Sequence, residues 1–375
     1  MPGASDSDAP GGGPRPPADD DVAQPRSEPP QPRRDAGRPR RLTIDDVAAR
    51  AGVSSAAVSF AMNNRPGVAE ETRARILAAA EELGWRPSAH ARALTEARAR
   101  AIGLLLARPI AQLEIDPFFV RFLAGVERAL ARTDNALVLR VMDTNEPVDL
   151  GAYTRLAASG RVDGFLLCDV ELDDPRFDLL AAAGLPVVVA GHPVSPCPFP
   201  FVETEHARGV AAAVEYLVGL GHRHVGFVGG FPGYEFVQAR LNVFRATLEA
   251  AGLEPGPVAY ADAADPSGAA ATARLLEQRP TAIVYGSDVL AAAGLGVARE
   301  HGLDVPGDLS ITGFDDSPLA ALAGPPVTSV RIDYTHFGEV AAATLIAMIA
   351  GEEPPAFVPA PPELVVRAST APVRP

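Results

Sequence analysis

Between Leu42 and Leu83 apolar residues recur at helical spacing three times, and each run is bracketed by residues that start or stop a helix. In the first, Ile44, Val47, Ala48 and Ala51 share one face behind a Thr43–Asp46 pair with capping-box spacing. Gly52 can end it by adopting positive φ. Ser54 can cap a second helix from Ser55 to Met62, with Val58, Ala61 and Met62 inward, and "NNRPG" breaks it. The spacing predicts a third helix from about Glu70 to Leu83, with Thr72, Ile76, Ala79, Ala80 and Leu83 inward, before "GWRP" stops it. Helix, tight turn, helix and support helix in so short a span describe a helix-turn-helix.

From Ala101 the pattern changes to short, nearly all-apolar runs alternating with Ala-rich helical stretches. The strand candidates are "AIGLLLA", "ALVLRVM", "VDGFLLC", "PVVVAG", "HVGFVGG", "TAIVYG" and "DLSITGF". The helices between them include "FFVRFLAGVERALART", "ARGVAAAVEYLVGLG", "QARLNVFRATLEAAG" and "VLAAAGLGVAREHG". Repeated βα units with apolar strands imply parallel sheets covered on both faces, in which ligands collect at the carboxyl ends of the strands. The fold class is therefore α/β, with an all-α headpiece in front.

Charge sharpens this division. The 375-residue chain carries a net −14, yet from Arg38 to Arg100 eleven Arg stand against seven carboxylates, a local +4 that leaves −18 elsewhere. A cationic module on an anionic body points to one polyanion-binding unit on a carrier that does not bind polyanions. Residues 1–40, rich in Pro, Gly and Asp, have almost nothing to bury and are expected to be a disordered tail. Cys168 and Cys197 lack metal-ligand spacing and read as packing residues of a reducing compartment. No apolar run is long enough to span a bilayer and no signal pattern opens the chain, so a cytoplasmic protein with no membrane partner is expected.

The second helix has an outward face of small polar residues, Ser54, Ser55, Ala56 and Ser59, which allows close approach to a nucleic-acid groove and offers hydroxyls to phosphates and base edges. A bundle that merely packs or dimerises accounts for the periodicity but not for that face. Enzymatic patterns are weak: "GLGHRHVGFVGG" lacks the third glycine of a dinucleotide fingerprint, and no Gly-x-Ser-x-Gly elbow occurs. His222 and His224 have no third ligand nearby. No cofactor and no metal site are expected.

The stretches "TIDDVAARAGVSSAAVS", "RPGVAEETRARILAAAEELGWRPSAHARAL" and "IGLLLA" follow in order and spacing the headpiece of the LacI-GalR family of bacterial transcription regulators, and the resemblance extends from about Arg41 to Thr370. It implies a helix-turn-helix domain over 41–86, a hinge helix and linker over 87–100, and a periplasmic-binding-protein-like body over 101–375. The body's N-subdomain would be about 101–191 plus 334–350 and its C-subdomain about 193–331 plus 356–372, with chain crossings near Ala190–Pro193 and Arg331–Tyr334. The DNA-contacting positions it implies are Thr43, Ser54, Ser55, Ala56, Ser59, Phe60, Asn63, Arg92 and Leu94, with Leu94 as a minor-groove wedge. Phe60 stands where the family usually has Arg, so it offers apolar contact in place of a bidentate bond to guanine. Ala69 stands where a Ser cap is usual. The effector-contacting positions are Phe118, Phe119, Arg240, Ser287, Asp315 and Tyr334, with Asp288 read as a helix cap. Glu205 and His206 replace a usual Asp-Asn pair.

The resulting expectation is a ligand-responsive repressor that binds a pseudopalindromic operator in double-stranded DNA as a homodimer, with assembly to a tetramer left open, and that answers to a small metabolite, a sugar foremost. Two other classes share the body fold: a solute-binding protein and a sugar-acting enzyme.

Overall fold

A computed structural model describes residues 42–63, 65–86, 98–108, 110, 113, 116–142, 149–261 and 267–374. The expected tail, and the hinge positions Arg92 and Leu94, lie outside the described residues. The chain divides into two compact units, one within residues 1–87 and one within 88–375.

In the first unit, α1 (Ile44–Ala51), α2 (Ser55–Met62) and α3 (Glu70–Glu82) enclose a core of Val47, Ala48, Ala51, Val58, Ala61, Ile76, Ala79 and Ala80. The Asp46 carboxylate accepts from the backbone N–H and the hydroxyl of Thr43 (2.8 and 2.9 Å), which fixes the entry into α1. Gly52 closes that helix at φ 67°. Thr72, Met62 and Leu83 are only partly buried. Arg73 donates to the carbonyls of Ala61 and Arg65 (2.9 and 3.0 Å) and holds the end of α2 against α3. Ala69, at the start of α3, gives no side-chain cap.

The second unit contains two sheets. The first, in the order β2 (Ala136–Val141), β1 (Ala101–Leu106), β3 (Gly164–Leu167), β4 (Val187–Ala190), β5 (Phe201–Val202), is parallel throughout. The second runs β11 (Glu363–Val365), β10 (Thr328–Arg331), β9 (Ser310–Phe314), β8 (Ala282–Tyr285), β6 (Val225–Gly229), β7 (Val258–Tyr260) and is parallel except for the β10–β11 pair. The interior strands β1, β3, β6, β8 and β9 are buried along their length, as sheets covered on both faces require.

The helices α4 (Pro117–Thr133), α7 (His206–Gly219), α8 (Glu235–Ala250) and α10 (Asp288–Glu300) occupy the helical stretches of the sequence reading. The shorter α5 (Leu150–Ala158), α6 (Arg176–Ala183), α9 (Ala269–Leu276) and α11 (Pro318–Leu322), and the strands β5, β7, β10 and β11, were not assigned from pattern. The long final helix α12 (Tyr334–Ala350) returns to pack on α4 and on β3 and β4 of the first sheet. Backbones meet in the α4–α12 pair: a Cβ at Gly125 would lie 1.9 Å from the Thr335 carbonyl oxygen, and one at Gly338 would lie 2.1 Å from that of Phe122.

One boundary differs from the sequence expectation. Phe201 and Val202 pair with Val189 and Ala190, and Cys197 and Phe199 pack on the core beneath the first sheet, so residues 193–202 belong to the first subdomain. The first crossing therefore falls after Val202 and not at Ala190–Pro193.

Candidate DNA-binding surface and effector cleft

On the helix-turn-helix unit, Ser54 accepts from the Ala57 N–H (3.2 Å) as the cap of α2, and Ala56 and Phe60 lie exposed on the same helix. Phe60 is 41% exposed, and its ring borders the Gly67 turn. Ser55, Ser59 and Asn63 are half-buried. The Ser55 hydroxyl donates to the Asp45 carboxylate (2.5 Å), locking α2 to α1, and the Asn63 amide donates back to the Ser59 carbonyl (2.8 Å). Thr43 completes the set at the start of α1, where its hydroxyl serves the cap. One helix and its two caps thus carry six of the named positions.

The second unit has a cleft between its two sheets, built where the strands end. Arg108 follows β1, Asp169 follows β3, His192 follows β4, Gly230 follows β6, Ser287 follows β8 and Asp315 follows β9. All of them line one or both of two cavities of about 110 and 120 Å³, which share Arg108, Asp116, Phe236 and Arg240 and therefore adjoin.

Arg108 anchors the floor. Its Nε and Nη2 fork to the Asp169 carboxylate, with Nε at 2.7 Å, and Nη1 reaches Asp116 at 2.9 Å, while its guanidinium lies 5.0 Å from the ring centres of both Phe119 and Tyr234. Burial opposes its charge, but Asp169 and Asp116 outweigh that penalty and raise its pKa, so it remains a cation. Asp116 also caps α4 through the Phe118 N–H (3.0 Å); burial raises its pKa against the pull of Arg108.

Arg240, on α8, is 8% exposed and lies over the Phe314 ring at 3.8 Å and near Phe236 at 5.2 Å. It donates to the Gly286 carbonyl (2.7 Å), while its buried Nε has no hydrogen-bond partner among the described residues. A desolvated donor left open in a cleft wall is costly unless a ligand supplies the acceptor.

Opposite stands Asp315, held at φ 102° in the loop after β9, whose carboxylate accepts from the Tyr334 hydroxyl (2.7 Å). Burial pushes its pKa up to about 8, with Arg240 pulling the other way. Burial and the neighbouring Asp315 likewise hold the Tyr334 hydroxyl protonated. Arg121 of α4 donates to the carbonyls of Asp315 and Asp316 (2.8 and 2.9 Å), so the loop that carries the carboxyl is fastened to the other subdomain.

Phe118 lines the carboxylate-bearing cavity, with its ring edge-on to Tyr334 at 4.8 Å. Phe119 does not: it is 4% exposed, part of the core, and its ring supports Arg108 from beneath, because residues adjacent on a helix point in different directions. Ser287 lines the other cavity and is also the cap of α10, accepting from the Leu290 N–H (3.3 Å). This corrects the reading of Asp288 as the cap. Its carboxylate instead takes the Ser317 N–H (2.6 Å) and the Ser329 hydroxyl (2.5 Å), binding the first turn of α10 to the neighbouring loops.

Sequence reasoning missed Arg108, Asp116, Asp169, His192, His206, Tyr234 and Phe236. Several stand directly after strand candidates, so the carboxyl-end rule for parallel sheets would have found them. His206 was noted only as a departure. Burial lowers its pKa to about 3 and Arg240 adds to the effect, so it lines the cavity as a neutral imidazole, and its buried Nδ1 has no partner among the described residues. His192 pairs with Glu203 across the first crossing.

Comparison with known proteins extends these observations. Residues 43–88 match the description "Bacterial regulatory proteins, lacI family", and residues 214–370 match "Periplasmic binding protein-like domain". The HTH-type transcriptional regulator reg1 of Streptomyces lividans is 36% identical over 350 residues, covering 88% of this chain and 96% of that protein. Among solved structures, a transcriptional regulator CelR–cellobiose complex is 31% identical with a TM-score of 0.66, covering 88% of this chain and all of that one. The lac repressor dimer bound to operator shares the fold, with a TM-score of 0.73 at 23% identity over 88% of this chain and all of that one. A helix-turn-helix unit joined to a two-sheet body with a cleft at its strand ends, and relatives that match along nearly their whole length, establish that the chain belongs to the lacI family of bacterial regulatory proteins, DNA-binding regulators of transcription.

Proposed function

We propose that the chain represses transcription as a homodimer whose α2 helices enter the major grooves of a pseudopalindromic operator, and that a sugar in the cleft of the body controls this binding. Ser54, Ser55, Ala56, Ser59, Phe60 and Asn63 would form the groove-facing surface, with Thr43 near the backbone, and Arg92 and Leu94 would act in the connecting segment of residues 87–100. Phe60 gives apolar contact only, which favours a thymine methyl at the base it meets. The protein acts by binding and not by catalysis, in the cytoplasm.

The observation that carries the effector assignment is Arg240, a buried guanidinium with an open Nε that shares a cavity with the Asp315 carboxyl and the Tyr334 hydroxyl. Planar donors facing a group that both donates and accepts suit a polyhydroxylated molecule. A related regulator of 31% identity is known in complex with cellobiose, which supports a sugar here. Because the cavities lie between two subdomains, a ligand that fits one relative orientation better than another shifts the equilibrium between them, and that difference is what reaches the DNA.

The test is operator binding measured by fluorescence anisotropy on fragments recovered by genome-wide footprinting, with and without sugars. Arg240→Ala is expected to keep operator affinity within about threefold and to abolish the sugar response. An unchanged response removes Arg240 from the effector site.

A further inference from the structure

We propose that the effector is a neutral saccharide of at least two units, one ring lying in the cavity of Asp315, Tyr334 and Arg240 and the next against an aromatic wall made by Phe231, Tyr234 and Phe236. The proposal rests on the sugar reading above and adds the size, charge and placement of the ligand.

The two cavities are similar in volume, about 110 and 120 Å³, and adjoin through Arg108, Asp116, Phe236 and Arg240, so one ligand can occupy both. Their chemistry differs. The first presents three carboxyls, two guanidiniums and two histidines, which match the hydroxyl edge of a sugar. The second shares Arg108, Asp116 and Arg240 with it along one side, and beyond them adds an apolar floor of Val237, Ala261 and Leu290, the three aromatics and Ser287. Tyr234 and Phe236 stack at 5.6 Å with planes 13° apart, and Phe231 meets Tyr234 edge-on at 5.3 Å. Phe231 is 46% exposed, so this wall continues to the solvent rim. A pyranose has an apolar C–H face as well as a hydroxyl rim, and that face is what an aromatic wall covers.

Charge excludes a phosphorylated ligand. Arg108 is already matched by Asp169 and Asp116, which leaves Arg240, set against the Phe314 and Phe236 rings, as the one guanidinium among the described lining residues not held in an ion pair. A phosphate dianion would have to shed its hydration beside the Arg108-bound Asp169 carboxylate with that single guanidinium to meet it, a desolvation cost that a neutral saccharide does not carry.

Calorimetric titration of the full chain with cellobiose, maltose, lactose, melibiose and sucrose, set against glucose, galactose, fructose and glucose 6-phosphate, tests this. At least one disaccharide is expected to bind roughly tenfold or more tightly than each of its component monosaccharides. Phe231→Ala, at an exposed position that lines the second cavity alone, is expected to erase most of that margin while leaving monosaccharide affinity unchanged, and Phe236→Leu, which borders both cavities, is expected to shrink the margin and weaken monosaccharide binding as well. A monosaccharide or the phosphate ester binding as tightly as any disaccharide overturns the two-ring proposal, as does a margin that survives both substitutions, and neither result touches the sugar reading. Binding of none of these sugars by a chain that still grips its operator removes the sugar reading, and the proposal with it.

Discussion

Two side chains show how a single environment sets a residue's task. Asp315 is buried against Arg240 and Tyr334, and its pKa rises to about 8, whereas an Asp in the unfolded chain ionises near pH ~4. Between those values the folded chain holds the extra proton, so this group's contribution to stability is present below about pH 4 and is lost as pH rises through about 8. Asp315→Asn keeps the acceptor for the Tyr334 hydroxyl and removes the titration. The variant's melting temperature is expected to fall less than the parent's between about pH 5 and pH 8, and equal falls in differential scanning fluorimetry would contradict the assignment. Phe60 is set by exposure in the opposite sense: a ring 41% open on α2 gains little from the fold and is free for a partner. Phe60→Arg is expected to shift the preferred half-site toward guanine at one position in a selection from random DNA, since a fork to guanine is worth about 1–3 kcal/mol of discrimination. Identical selected sites for both proteins would place Phe60 off the readout surface.

Among elements, the α4–α12 pair determines how closely the first subdomain packs. Gly125 and Gly338 let the helix backbones touch, and a methyl group at 338 would fall 2.1 Å from the Phe122 carbonyl oxygen, a distance no side-chain rotation can relieve. Gly338→Ala is therefore expected to lower stability by at least about 1–3 kcal/mol, the usual cost of overpacking, read as a lower urea midpoint. A midpoint equal to that of the parent would show that the pair separates freely. The same contact has a functional consequence, because α12 begins at Tyr334 and α4 carries Phe118 and Arg121, all of which hold or line the Asp315 side of the cleft. The short elements missed from pattern have a common character. β5 has two residues and β11 three, too few for alternation to register, and β7 is half-buried at a sheet edge.

For the molecule as a whole, effector control implies reciprocity. If a sugar weakens operator affinity by some factor, saturating operator must weaken sugar affinity by the same factor, because both are legs of one thermodynamic cycle. Calorimetric sugar titrations with and without operator DNA are expected to agree with the anisotropy measurement within error. A sugar whose affinity ignores the operator, while the operator's affinity responds to that sugar, would mean that the two measurements do not report the same equilibrium. The charge division fits this scheme, a +4 segment ahead of a strongly anionic body.

The sequence by itself determined what depends on neighbours along the chain. Capping at Thr43 and Ser54, the Gly52 stop and the inward stripe of Val47, Val58 and Ile76 are local signals, and so are the apolar strands of the body. The family resemblance added Arg240, Ser287, Asp315, Tyr334 and Phe118, five positions that line the cleft. Tertiary structure alone decided the rest. It turned Phe119 into support for Arg108, gave Asp288 a bridging role while Ser287 capped the helix, and kept residues 193–202 in the first subdomain. It also joined Arg108 to Asp169 across 61 residues and set the Phe231–Tyr234–Phe236 wall beside them. Those outcomes depend on which side chains meet across strands distant in sequence, and on how far burial shifts their charge. Local spacing encodes the element a residue joins, but the partner it meets is fixed only when the sheets assemble.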